Sequence, residues 1–143
     1  MIIGFTGTRE GMSIRQRQIV RAMLSSAEEV HHGDCMGSDE EFHELAQSLA
    51  VRIVIHPPDD PKLRAYCEGG TVLPTKPYLI RNRDIVDMVE FLIATPKEQT
   101  EPAPGRGQGT WSAVRYARGK RKPCAVIKPD GAVDFVLGLL IKQ

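Results

Sequence analysis

Four short stretches carry residue types that can bind or work on an anionic ligand. In "GRGQGT" (105–110), Gly105, Gly107 and Gly109 alternate with Arg106 and Gln108 ahead of Thr110 and a helix-like run. Three glycines in five residues imply backbone conformations or close approaches that a Cβ forbids. A glycine loop feeding a helix suits a phosphate, because the first-turn N–H groups are unpaired and the helix dipole favours an anion. "TGTREG" (6–11) offers the same kind of turn. The hydroxyls of Thr6 and Thr8 and the N–H groups around Gly7 can donate to phosphate oxygens, and Arg9 can meet the anion with its planar fork. An ordinary strand-to-helix turn with an exposed arginine is the alternative, and the full G-x-G-x-x-G spacing is missing.

The third stretch is "HGDCMGSDEEFH" (32–43), in which Gly33, Asp34, Gly37 and Ser38 form a turn and Asp39 opens a helix. A carboxylate there stabilises the helix end or accepts from ribose hydroxyls. His32, Asp34, Cys35, Asp39 and His43 offer metal-binding atoms, but their spacing matches neither a zinc site nor an EF-hand loop, so no metal is expected. The fourth stretch is "RNRD" (81–84). Asn82 shares a helical face with Leu79, Val86 and Val89, so it either ties down a neighbouring loop or meets a ligand; Arg81 and Arg83 flank it.

These stretches need elements to hold them, and apolar runs alternate with helical patterns along the whole chain. Strands are predicted at 1–6, 29–32, 51–56, 90–95 and 123–129, and helices at 13–27, 38–50, 78–89 and 110–119. Ser13 with Gln16 and Ser38 with Glu41 have capping-box spacing. Residues 57–77, with five prolines and two adjacent glycines, and residues 96–108 read as long loops, and 132–141 as a closing helix. The pattern predicts an α/β fold, a three-layer Rossmann-like domain with a mostly parallel sheet of about five strands. Ligands in such sheets bind beyond the carboxyl ends of the strands, where strand order reverses. If that reversal lies between the first and fourth strands, both glycine turns face one crevice. Trp111 then either stacks on a base or packs on the sheet, and packing is the expectation.

The totals narrow the function. One domain over residues 1–143 is expected from the length, and 41% hydrophobic and 26% charged residues are ordinary for a soluble globular chain. A net charge of +1 gives no reason to expect nucleic acid as a partner. The basic run at 115–122 reads as a solvated helix end. Three widely spaced cysteines form no paired framework, which points to the cytoplasm. No signal-peptide pattern opens the chain, and the late apolar run is too short to span a bilayer.

With these pieces in order, the chain resembles the SLOG superfamily, which includes the DNA-processing protein A Rossmann domain and the "Lonely guy" phosphoribohydrolases. The resemblance rests on "GFTGTR", "HGDCMGSD", "RN" (81–82), "GQGTWSAVRYA" and "KPCAVI". It implies a nucleotide or nucleotide-derived ligand held by Thr6, Gly7, Thr8, Arg9, Gly33, Asp34, Gly37, Ser38, Asp39, Arg81, Asn82, Gly107, Gln108, Gly109 and Thr110. A sensor or binding domain is the leading expectation, as a homodimer with no cofactor. The phosphoribohydrolases share a Pro-Gly-Gly-x-Gly-Thr-x-x-Glu motif whose glutamate, with an arginine, is implicated in cleaving the N-glycosidic bond. Arg81 matches that arginine, but Arg106 replaces one motif glycine and Ala113 stands where the glutamate belongs. The phosphoribohydrolase-like reaction on nucleoside monophosphates is therefore the alternative.

Overall fold

Ile3–Thr6, Leu92–Thr95 and Cys124–Ile127 are apolar or small at every position, the signature of strands covered on both faces. In the computed structural model, which describes residues 1–105 and 108–136, they form the centre of a seven-stranded sheet of order β4-β3-β2-β1-β5-β6-β7. Its strands are β1 (Ile2–Gly7), β2 (Glu29–His32), β3 (Arg52–Ile55), β4 (Thr71–Val72), β5 (Phe91–Thr95), β6 (Cys124–Ile127) and β7 (Val133–Val136). All neighbours pair in parallel except β6 and β7. Strand order reverses between β1 and β5, whose register runs from Ile3 opposite Phe91 to Gly7 opposite Thr95.

Helices α1 (Ile14–Met23) and α2 (Ser38–Ser48) cover one face. Val20, Phe42 and Ala46 pack there against Ile3, Phe5, Val30, Ile53 and Ile55. Helices α3 (Tyr78–Met88) and α4 (Gln108–Gly119) cover the other face. Ile85, Val86, Trp111, Val114 and Ala117 pack there against Leu92, Ala94, Cys124 and Val126.

The α1 cap forms as its spacing predicts: Ser13 Oγ accepts from Gln16 N–H at 3.1 Å and Gln16 Oε1 accepts from Ser13 N–H at 2.9 Å. The α2 cap is shifted by one residue. Gly37 is the N-cap, and Glu40 rather than Glu41 reaches back, to the Gly37 N–H at 3.1 Å. Glu41 is drawn instead to the Met12 N–H at 2.7 Å and to Arg17.

Two expectations are corrected. The loop 57–77 contains β4, a two-residue edge strand that pairs through Val54 with Thr71 and Ile55 with Val72. The helix expected at 132–141 is replaced over its first half by β7, antiparallel to β6. Pro129-Asp130-Gly131 makes the turn that sends the chain back, with Gly131 at φ +94° and Asp130 Oδ1 accepting from the Ala132 N–H at 2.8 Å. The remainder of that predicted helix lies outside the described residues.

Candidate functional site

Where β1 and β5 part, their following loops diverge and leave a cleft of about 230 Å³. It is lined by Thr6, Gly7, Thr8 and Arg9 from the β1 turn, Gly33 and Asp39 from the β2–α2 region, Arg81 and Asn82 from α3, and Gly109 and Thr110 from α4. The crevice predicted from strand order thus unites ten of the expected residues. Gly107 lies outside the described residues, and Gln108 is placed only as the first residue of α4.

Asp34, Gly37 and Ser38 do not line the cleft. The buried Asp34 carboxylate accepts from Arg64 Nε at 2.9 Å and from the Cys67 N–H at 2.8 Å, holding the 57–77 loop. Gly37, at φ +88°, has no room for a side chain: a Cβ would stand 2.2 Å from the Arg9 carbonyl oxygen. Ser38 directs its N–H (3.1 Å) and its hydroxyl (2.5 Å) to the Thr8 carbonyl. Gly37 and Ser38 therefore clamp α2 onto the β1 turn.

Packing also explains two cleft glycines. A Cβ on Gly7 would lie 2.4 Å from Thr95 Oγ1 and 2.5 Å from Ser38 Cβ. Thr95 Oγ1 is fully buried and without a hydrogen-bond partner among the described residues. A Cβ on Gly33 would meet the Arg81 guanidinium at 2.6 Å.

Arg81 is 5% exposed. It donates to the carbonyls of Gly33 and His56, to Asn82 Oδ1 at 2.8 Å, and towards Cys35 Sγ at 3.5 Å. Its guanidinium thus joins the ends of β2 and β3 to α3. Asn82 Nδ2 donates in turn to the Gly109 carbonyl at 3.3 Å, fixing the first turn of α4.

Arg9 differs. It is exposed, has no salt-bridge partner among the described residues, and lies 5.7 Å from the Tyr78 ring centroid. Asp39 is buried and accepts from the Cys35 N–H at 3.0 Å through Oδ2. Burial pushes its pKa up to about 6, against the opposing pull of Arg81 and that N–H.

Cys35, Tyr78, Glu10, Lys97 and Glu98 also line the cleft, and the sequence reading did not select them. Tyr78 had a signal, since it lies three and four residues before Arg81 and Asn82, on the same helical face. Lys97 and Glu10 had none: their 3.0 Å ion pair joins two loops far apart in sequence. Trp111 is 2% exposed, packs in the α3–α4 core and donates its indole N–H to Glu98 at 3.0 Å, so it packs as expected. Ala113 is buried in the same core.

Beside the cleft, the four histidines form two buried pairs. The Asp34 N–H donates to His32 Nδ1 at 3.0 Å, which places the proton of the neutral ring on Nε2. His32 Nε2 then donates to His43 Nδ1 (2.8 Å), and His43 Nε2 donates to the Glu68 carbonyl (2.6 Å). The Cys67 thiol lies near both rings, but this tautomer leaves His32 no lone pair for an ion. His31 Nδ1 and His56 Nε2 are 2.7 Å apart, and His31 Nε2 meets Glu29 at 2.9 Å.

No family model matches the sequence, and no curated protein matches it. Solved structures do match in fold. TM1055 is 13% identical with a TM-score of 0.61, over 86% of this chain and 71% of that one. DNA processing protein A (DprA) from Streptococcus pneumoniae is 15% identical with a TM-score of 0.63, over 87% of this chain and 49% of that one. The Moco carrier protein from Chlamydomonas reinhardtii is 16% identical with a TM-score of 0.63, over 87% and 74%. Among the described residues no helix is long and apolar enough to cross a membrane. At these identities the likeness is one of fold alone, a Rossmann-like α/β arrangement.

Proposed function

We propose that the cleft binds a nucleotide or nucleotide-derived phosphorylated small molecule, and that the chain acts as a sensor or carrier of that ligand. The observation that carries this reading is the convergence of the β1 turn and the first turn of α4 on one crevice, beside an arginine with no salt-bridge partner among the described residues. The first-turn N–H groups of α4, the threonine hydroxyls and an Arg9 fork suit a phosphate, and Asp39 suits a ribose hydroxyl. The Thr8 and Glu10 N–H groups of the β1 turn are already bonded, to the Thr95 carbonyl and the Thr8 hydroxyl. One fold neighbour is by its name a carrier of the molybdenum cofactor, which fits a site that holds a ligand.

Calorimetry against AMP, ADP-ribose, NAD and cyclic nucleotides tests the reading. At least one is expected to bind, and Arg9→Ala should weaken it by about tenfold or more, since a charge-assisted hydrogen bond contributes about 1.5–3 kcal/mol. Silence across the panel with folded protein counts against the reading. Light scattering on the same samples tests the homodimer.

A second reading rests on Asp39. A buried carboxyl whose pKa is about 6 exists in both protonation states near neutrality, as acid–base chemistry at a glycosidic bond requires. Release of free base from AMP, lost in Asp39→Asn, would support a phosphoribohydrolase-like enzyme whose carboxyl comes from α2.

A further inference from the structure

A ligand with a flat ring needs an aromatic face, and the aromatic side chains around the cleft are committed elsewhere with one exception. Phe5 is fully buried and stacked on Phe42, with centroids 4.2 Å apart and planes 8° from parallel. Trp111 is locked in the α3–α4 core. Tyr78 belongs to neither apolar core, is only half-buried and lines the cleft. Its hydroxyl has no hydrogen-bond partner among the described residues.

The ring is nonetheless held in place. Tyr78 is the first residue of α3, after Pro77, whose φ is fixed by its own ring. Two of its ring carbons lie 3.6 Å from where a Cβ of Gly109 would stand, so a bare glycine backbone supports one edge. The Arg9 guanidinium lies 5.7 Å from its centroid on a long side chain with no other partner described.

We propose that Tyr78 is the stacking platform for a flat heterocyclic ring of the ligand, with Arg9 bridging that ring and the ligand's anionic group. The proposal rests on the phosphorylated-ligand reading above and adds to it the chemistry of the ligand's other end. Stacking of a heterocycle on an aromatic ring is attractive whatever the ring's hydrogen-bonding edge, and a guanidinium strengthens it. The platform thus selects for ring-bearing phosphates over bare sugar phosphates.

The test is calorimetry with AMP, ribose 5-phosphate and inorganic phosphate on the parent chain, Tyr78→Ala, Tyr78→Leu and Tyr78→Phe. Thermal melts on the same samples exclude unfolded protein, and leucine retains bulk if alanine loosens α3. The parent should bind AMP about tenfold more tightly than ribose 5-phosphate. Alanine and leucine should remove that advantage while leaving ribose 5-phosphate within about twofold, and phenylalanine should keep it. AMP binding unweakened in Tyr78→Ala and Tyr78→Leu, or AMP and ribose 5-phosphate weakened equally, overturns the platform alone. No binding of any of the three to the parent overturns the platform, and silence of the full nucleotide panel overturns the phosphate reading with it.

Discussion

Arg81→Met is the substitution that best separates a pinning arginine from a ligand-binding one. The resemblance assigns this arginine to ligand chemistry, whereas its guanidinium already donates to two backbone carbonyls and Asn82 and approaches the Cys35 thiol. Methionine fills similar volume but strands the Gly33 and His56 carbonyls in a buried setting, at about 1–3 kcal/mol each. Asn82 Oδ1 loses its donor as well, and relief from burying a charge offsets part of the total, leaving about 3–5 kcal/mol. At the lower end this lowers Tm by about 10 °C in a domain of this size. Arg81→Lys should fall between the two, because an ammonium cannot reproduce the planar fork that spans both carbonyls. Thermal and urea unfolding, followed by calorimetry on the folded fraction, reads stability and binding separately. A methionine variant that melts within about 2 °C of the parent while losing ligand affinity would refute the pinning role.

Acid should destabilise the fold. Burial, then neighbouring positive charge, holds His32 well below its ordinary pKa of 6.5, and burial with His31 lowers His56 to about 4. Their neutral forms stabilise the fold fully above pH 6.5, and that stability is lost as pH falls from there towards 4, because the unfolded chain takes up protons first. Asp39, raised to about 6, opposes the trend between pH 6 and 3.8 but is one group against two. Tm should therefore fall by about 5 °C or more from pH 7 to pH 5, and equal melts at the two pH values would contradict this. Gly7→Ala should cost about 1–3 kcal/mol in urea unfolding through its clash with Thr95 and Ser38; an unchanged midpoint would show that β1 can shift away. Trp111→Ala should cost about 3–5 kcal/mol of stability, while the affinity of the folded fraction stays within about threefold; a larger loss would place the indole at the ligand.

The central strands β1, β5 and β6 were legible because burial on both faces writes itself as unbroken apolar runs. The reversal of order between β1 and β5 was only a condition, since pairing is decided between distant segments. Ser13 and Gln16 were legible because a cap is a local device. Ser38 and Glu41 were only half so: two frames one residue apart satisfy the same spacing, and the contact of Gly37 with the Arg9 carbonyl, 28 positions away in the chain, selects the frame. The closing strand was hidden because the apolar Val133 and Val136 keep the i, i+3 spacing of a helix, although Pro129-Asp130-Gly131 marked the hairpin. Among the site residues, the type of Gly7 and Gly33 was readable but the reason for it was not. Each glycine answers a side chain brought in from another element.

The hydrogen bonds from the Asp34 N–H through His32 and His43 to the Glu68 carbonyl all point the same way. A one-way chain has consequences for how the sequence can drift. Losing one imidazole strands a buried donor or acceptor on the other, a penalty that removing both at once with apolar groups of similar shape avoids. Positions 32 and 43 should therefore behave as a single heritable unit. Descendants of this chain would keep both rings or exchange both, and those that exchange them would leave the Glu68 carbonyl to Gln47 Nε2, which already donates to it at 2.9 Å.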